Sequence, residues 1–387
     1  MTPAPTLLFP TAGDPLTLIL KPAGSRCNID CLYCYDKRRE LADTGYLDPD
    51  VLTRFLDLAS GHPLNVVFHG GEPLVTPVHR LAEYVDAFKR HDQPVTFGIV
   101  TNGTLLTEKL ITDLQQACPG MRFTVSYDGP EQSSQFRVDH RGQPTVGPVE
   151  RALELLSEMA LPTGVITVAT RALLGAESAL LDSLSSYPAV NSLKITPCLD
   201  YGVQQSSAGS RLRSKRTISI LAGQEGQAAW ALSPAEYNQV VLRASGLWKA
   251  RGYFKQFILE PFMSILLSLR GADSGSTDFS EVKQPFMVTL SATGLLSTSD
   301  EFETAAGLIG PIRTLEEPIR YLIPARLDPL WNQCRGLLAA CTSCSHRSTC
   351  RGGGLPDRLA YDGATREQYC QARRALIDGI AELIDTS

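Results

Sequence analysis

Short apolar runs alternate with amphipathic stretches through the first half of this 387-residue chain. LTLIL (16–20), NVVF (65–68), VTFGIV (95–100), RFTVSY (122–127), GVITV (164–168) and SLKIT (192–196) are rich in Val, Ile, Thr and Phe and read as strands. Between them the apolar period lengthens to that of a helix. Asp48 is placed to cap a helix with Pro49 in its first turn and Leu52, Phe55, Leu56 and Ala59 on one face. Thr76-Pro77 begins a second, carrying Leu81, Tyr84, Val85 and Phe88. Thr107 opens a third with Leu110, Ile111 and Leu114, and Val149, Ala152, Leu153 and Leu156 stripe a fourth. Six strands separated by helices predict right-handed crossovers and a parallel sheet, an α/β fold. Periodicity does not decide between an open sheet and a barrel.

The pattern breaks at 201–231, a polar and locally basic stretch with the character of a long loop or lid. Ser233-Pro-Ala-Glu236 then forms a capping box ahead of a helix holding Tyr237 and Trp248. The last 60 or so residues show poor periodicity and most of the cysteines, which predicts a small module held by metal.

Hydrophobic residues make up 43% of the chain and charged residues 20%, as expected of a globular protein with room for a large core and a smaller second module. No run approaches the roughly 18 apolar residues of a membrane span. The N-terminal stretch lacks the basic flank and apolar run of a secretion signal, so a cytoplasmic location is expected. A net charge of −5 gives no general drive toward nucleic acid.

Ten cysteines in a reducing compartment point to ligands rather than disulfides. Cys27, Cys31 and Cys34 fall in CNIDCLYC, a C-x3-C-x2-C spacing with no fourth cysteine near. Three thiolates can hold three irons of a cubane [4Fe–4S] cluster and leave the fourth iron open, the logic of a reactive site rather than a closed structural one. A zinc site completed by His62 or His69 is the alternative on spacing alone. The loop follows the first strand, so it lies at the end where parallel α/β barrels build active sites. HGGEP (69–73) follows the second strand. Its Gly70 and Gly71 allow close backbone approach to a ligand, and Glu72 can accept from an ammonium group. TNG (101–103), with Asn102, and SYDGP (126–130), with Ser126 and Asp128, end the third and fourth strands on the same rim. Arg137 and Arg141, in FRVDHRG, are candidates to pair with a carboxylate.

The cysteine motif, with Tyr33 before its third cysteine, resembles that of radical S-adenosylmethionine (SAM) enzymes. The resemblance implies a partial (β/α)6 TIM-like barrel whose open iron binds the amino and carboxylate groups of SAM. It implies reductive SAM cleavage to a radical that abstracts hydrogen from substrate. It also places Tyr33, Gly70, Gly71, Glu72, Asn102, Ser126 and Asp128 around SAM.

Cys341, Cys344 and Cys350, closed by distant Cys370, supply four thiolates for one centre, and spacing alone fits zinc or iron–sulfur. This region resembles the SPASM extension of radical SAM maturases, especially the anaerobic sulfatase-maturase branch. Full modules of that kind hold two auxiliary [4Fe–4S] clusters. Here Gly354 and Ser299 stand at two positions where the pattern has cysteine, so one auxiliary cluster is expected. Cys334 is unassigned, and Cys118 and Cys198 read as core thiols. Asp300 matches the residue implicated in that branch as the base that deprotonates substrate.

The chain is thus expected to divide into a radical SAM core (1–200), a loop and linker helices (201–283) and a degenerate cysteine-rich C-terminal metal-binding module (284–387). The resemblance implies an enzyme acting on a peptide or protein side chain, in the maturation of a ribosomally made peptide by crosslinking, epimerisation or oxidation. Sulfatase-maturase-like formylglycine formation and radical dehydrogenation of a small molecule are the alternatives. A flavodoxin or ferredoxin is implied as external electron donor. The first strand begins near residue 16, which leaves no leader-binding domain ahead of it. Leader recognition would fall to the 201–231 loop, with its Arg211, Arg213, Lys215 and Arg216, to the C-terminal module or to a separate protein. No nucleic-acid or membrane partner is expected.

Overall fold

A computed structural model describes residues 7–34, 36, 45–200, 203–205, 211–213, 217–218, 230–275, 278–280, 283–300, 307–355 and 363–385. All six expected strands form: β1 Leu16–Leu20, β2 Leu64–Phe68, β3 Val95–Thr101, β4 Arg122–Ser126, β5 Thr163–Ala169 and β6 Val190–Pro197. They pair in sequence order and in parallel, with Leu18 opposite Val66 and Val66 opposite Phe97. Five helices cross between them: α1 Pro49–Leu58, α2 Val78–Phe88, α3 Glu108–Ala117, α4 Val146–Glu158 and α5 Glu177–Ser185. The expected apolar stripes face the sheet, with Leu52 and Phe55 of α1, Tyr84 of α2, Leu114 of α3 and Leu156 of α4 fully buried. Asp48 accepts a bond from the Asp50 amide and Thr107 one from the Leu110 amide, so both caps work as their residue types require.

The sheet is wider than the sequence pattern indicates. After the short strands β7 Leu199–Asp200, β8 Val203–Gln205, β9 Arg211–Arg213 and β10 Thr217–Ile218, the chain forms α6 Pro234–Ala250 and then β11 Ile258–Glu260, which joins the sheet beside β6. α7 Phe262–Leu269 follows. β12 Met287–Leu290 adds in parallel to β1, and β13 Leu295–Ser297 and β14 Leu308–Pro311 extend that edge antiparallel. The order is β11-β6-β5-β4-β3-β2-β1-β12-β13-β14, an open, partial barrel among the described residues. Its strands come from all three sequence stretches.

The stretch beginning at 201 is not simply a loop. β8 and β9 pair antiparallel, and β7 and β10 pair antiparallel outside them, so the chain doubles back on itself once. Apart from Trp230 and Ala231, its remaining residues lie outside the described set.

The capping box at the start of α6 is complete: Ser233 Oγ accepts from the Glu236 amide at 3.2 Å and the Glu236 carboxylate accepts from the Ser233 amide at 2.8 Å. Ser233→Ala is expected to cost about 1 kcal/mol in urea unfolding; no measurable change would mean the helix start is fixed by other contacts.

The C-terminal part is more helical than its weak periodicity predicts: α8 Ile319–Leu338, the one-turn α9 Arg347–Cys350 and α10 Gly363–Asp385. Pro324 and Pro329 lie inside α8 and blur its pattern. α10 buries Tyr369, Leu376, Ile377 and Ile380, and packs along α6. The two helices come close at Gly379, where a Cβ would meet Leu242 at 2.7 Å. No helix among the described residues is long and apolar enough to cross a membrane.

Candidate active site

Because β1 to β4 are parallel, the loops that follow them share one rim, and the structure ties those loops together through specific bonds. The cysteine loop is held along both flanks. On one side the Gly71 amide donates to Gly24 O at 2.9 Å and the Glu72 amide to Arg26 O at 2.8 Å. On the other, the Asp30 amide donates to Val138 O at 2.7 Å and the Leu32 amide to Phe136 O at 2.9 Å. At its base Lys21 and Asp36 form a buried ion pair of 2.6 Å, one partner just after β1 and the other just after Cys34.

Gly70 and Gly71 serve this packing. A Cβ on Gly70, whose φ is +116°, would lie 2.5 Å from Gly24 O, and one on Gly71 would lie 2.2 Å from Arg26 O. The close approach expected of these glycines is therefore to the backbone of the cysteine loop.

Glu72 is buried and braces the rim rather than standing exposed on it. Its Oε1 accepts from the Leu74 amide at 3.0 Å and from Thr101 Oγ1 at 2.8 Å, and its Oε2 from the Asn102 amide at 2.7 Å. Burial pushes the carboxyl up to about 7, against the pull of those three donors. Asn102 in turn spans to the cysteine loop. Its Nδ2 donates to Asn28 Oδ1 at 2.9 Å and approaches Cys27 Sγ at 3.6 Å.

Tyr33 and Asp128, expected beside a cofactor, form with Arg137 a buried cluster beneath the cysteine loop. The Tyr33 hydroxyl donates to Asp128 Oδ2 and accepts from Arg137 Nη1 at 2.9 Å, while Asp128 Oδ1 accepts from the Val168 amide at 2.9 Å. Burial raises the Tyr33 pKa far above that of an ordinary phenol, so it keeps its proton. Burial opposes the Arg137 charge, but Tyr33, Cys31 and Asp128 outweigh it and hold that pKa high. Arg137 is thus neither a surface arginine nor open to a carboxylate at the rim. Arg141 is exposed. Burial pushes the Cys31 thiol up to about 11, with Arg137 pulling the other way. Ser126 is half-buried at the end of β4.

Asp300 stands apart from this group. β13 runs antiparallel to β12 and ends at Ser297, pointing toward the end of the sheet where β1 begins, and buried Ser299 and half-buried Asp300 follow in the turn beyond it. The cysteine rim lies at the other end.

In the C-terminal part Cys341 sits in the single turn Ala339–Ser343, Cys344 closes that turn, Cys350 ends α9 and Cys370 lies on α10. Arg373, one turn beyond Cys370, donates from Nε to Cys350 Sγ at 3.3 Å and stacks over Phe279. This brings α9 and α10 together. Gly353 follows in a left-handed conformation, and a Cβ there would lie 2.6 Å from the Tyr369 hydroxyl. The Cys334 side chain lies outside the described residues, and Cys118 and Cys198 are buried. Among the described residues no three His, Cys, Asp or Glu side chains are disposed to hold a single metal ion.

Residues 22–173 match the model of the Radical SAM superfamily. The chain is 31% identical over 170 residues to the cysteine-type anaerobic sulfatase-maturating enzyme of Clostridium perfringens strain 13, a match covering 40% of this chain and 45% of that protein. The matched stretch thus spans less than half of that relative. The fold resembles native anSMEcpe with bound AdoMet, with a TM-score of 0.76 at 20% identity over 96% of this chain and 99% of that one. It also resembles Streptococcus suis SuiB bound to S-adenosylmethionine, with a TM-score of 0.57 at 14% identity over 92% and 78%.

Proposed function

We propose that this chain is a radical SAM enzyme that modifies a peptide or protein side chain in the maturation of a ribosomally made peptide. One observation carries the reading: the three-cysteine loop is locked against the HGGEP and TNG loops, so its thiols are presented from a fixed backbone at the C-terminal rim of the sheet. The donor set fits the implied group. Three thiols within eight residues suit a [4Fe–4S] cluster that leaves one iron open.

In this reading Cys27, Cys31 and Cys34 hold the SAM-binding cluster, and Cys341, Cys344, Cys350 and Cys370 hold one auxiliary cluster. Gly70, Gly71, Glu72, Asn102 and Ser126 form the SAM side of the rim, and Tyr33 and Asp128 support it from below. When bound, cluster and SAM supply hydrogen-atom abstraction from an unactivated C–H bond. The chain's own part is to fix the loop, to keep Tyr33 neutral and Arg137 charged beneath it, and to brace the rim with Glu72, which would be the acceptor for the SAM ammonium group. A flavodoxin- or ferredoxin-type carrier supplies the electron. A separate protein or the strands after residue 200 take the leader, and the enzyme works in the cytoplasm. The resemblance to SuiB, solved with its precursor peptide SuiA, supports a peptide substrate.

Formylglycine formation on a sulfatase is the second reading, supported equally by the Clostridium relative. There Asp300 is the base, and the substrate has to reach the β13 end of the sheet.

Anaerobic reconstitution with iron and sulfide tests the assignment. The chain is expected to hold about eight irons and its Cys27/Cys31/Cys34→Ala variant about four, with SAM cleaved only by the unaltered chain. Equal iron in the two forms overturns the reading. About twelve irons would restore a second auxiliary cluster and favour the sulfatase-directed reading.

A further inference from the structure

We infer that Asn102 is a hydrogen-bond donor to the Cys27 sulfur and that it raises the reduction potential of the cluster held there. The inference rests on the proposed cluster at Cys27, Cys31 and Cys34 and assigns Asn102 a part beyond lining the SAM side of the rim.

The amide is oriented by its neighbours without ambiguity. Asn102 Oδ1 accepts from the Thr104 backbone N–H at 2.9 Å and from Thr104 Oγ1 at 2.7 Å. A backbone N–H can only donate, so the oxygen faces Thr104 and the NH2 faces the cysteine loop. One Nδ2 hydrogen is taken by Asn28 Oδ1 at 2.9 Å, leaving the second for Cys27 Sγ at 3.6 Å. Sulfur is larger than oxygen, and a bond to it is correspondingly longer.

The donor is also fixed from behind. The Asn102 amide is bound by Glu72, and Asn28 Nδ2 donates to Thr104 Oγ1 at 2.8 Å, closing a ring of polar contacts around the carboxamide. Asn102 is 6% exposed, so water competes little for the bond. Hydrogen bonds to ligand sulfur stabilise the more negative, reduced cluster and so raise its potential.

The test compares reconstituted unaltered chain with Asn102→Ala, Asn102→Asp and Asn28→Ala. The signal of this cluster is identified by its absence from the Cys27/Cys31/Cys34→Ala variant. In Asn102→Ala the potential, followed by EPR without SAM, is expected to shift to a more negative value with iron content unchanged. An exchangeable-proton coupling in the reduced cluster's ENDOR spectrum is expected in the unaltered chain and Asn28→Ala. It should be lost in both Asn102 variants, and Asn102→Asp keeps the acceptor for Thr104 should the alanine variant fold poorly. An unshifted potential with the coupling retained overturns the inference and leaves the cluster assignment standing. Equal shifts in Asn102→Ala and Asn28→Ala also overturn it, because they report general loosening of the loop. If no iron depends on Cys27, Cys31 and Cys34, the cluster assignment itself fails.

Discussion

Replacing Arg137 with leucine is expected to cost about 3–5 kcal/mol of folding stability, measured by urea unfolding of the metal-free chain. Arg137 is 5% exposed and Asp128 1%, so neither charge has solvent to fall back on. Leucine leaves the Asp128 carboxylate buried with the Tyr33 hydroxyl and the Val168 amide, two donors but no counter-charge. Removing both charges in Asp128→Asn/Arg137→Leu is expected to recover part of the loss, because the main penalty is the orphaned ion rather than the missing contact. The damage should also reach the cysteine loop. Tyr33 loses the donor that seats it, and the Asp30 and Leu32 amides, bonded to Val138 and Phe136, should exchange faster with solvent. A loss under about 1 kcal/mol, typical of an exposed pair, would mean that the guanidinium reaches water.

Arg137 also marks where reading the sequence stops. In FRVDHRG it is one of two arginines in a polar run, and nothing local distinguishes it from exposed Arg141. Its burial comes from the segment folding over the cysteine loop, a tertiary event. Lys21 and Asp36 escape notice for the same reason: 15 residues separate them, and only the turn of the loop makes them a pair. The rim motifs were legible because each combines unusual residue types directly after a strand, and strand ends in a parallel sheet must converge. The six central strands were legible through their Val- and Ile-rich runs. β11 and β12 were not, since three or four residues carry too little alternation and owe their strand character to the edges of β6 and β1. The glycines of HGGEP were expected to let the backbone approach a ligand closely. What they approach, the carbonyls of residues 24–26, follows only from the register of two loops.

That register makes Gly71→Ala the second severe substitution. Ordinarily Gly to Ala in a loop stabilises by about 0.4–1 kcal/mol, through the unfolded chain. Here the added methyl would stand 2.2 Å from Arg26 O and 2.5 Å from Ser25 O, both backbone atoms that no rotamer change can move aside. The HGGEP loop and the cysteine loop must separate. The bonds from the Gly71 and Glu72 amides to Gly24 O and Arg26 O are then lost, at about 0.5–1.5 kcal/mol each before any strain is counted. The expected result is a loss of roughly 2–4 kcal/mol in urea unfolding, and a failure to retain the irons assigned to Cys27, Cys31 and Cys34. Those irons should be lost even where the variant still folds, because the thiols are no longer held from a fixed backbone. Gly61→Ala is a control for backbone strain without contact. Gly61 has a φ of +83°, which favours glycine and which Gly71 does not share, and a Cβ there meets nothing within 4 Å, so it should cost about 1 kcal/mol and leave the iron content unchanged. If the two variants behave alike, contact between the loops does not govern Gly71, and the rim is less tightly assembled than its bonds indicate.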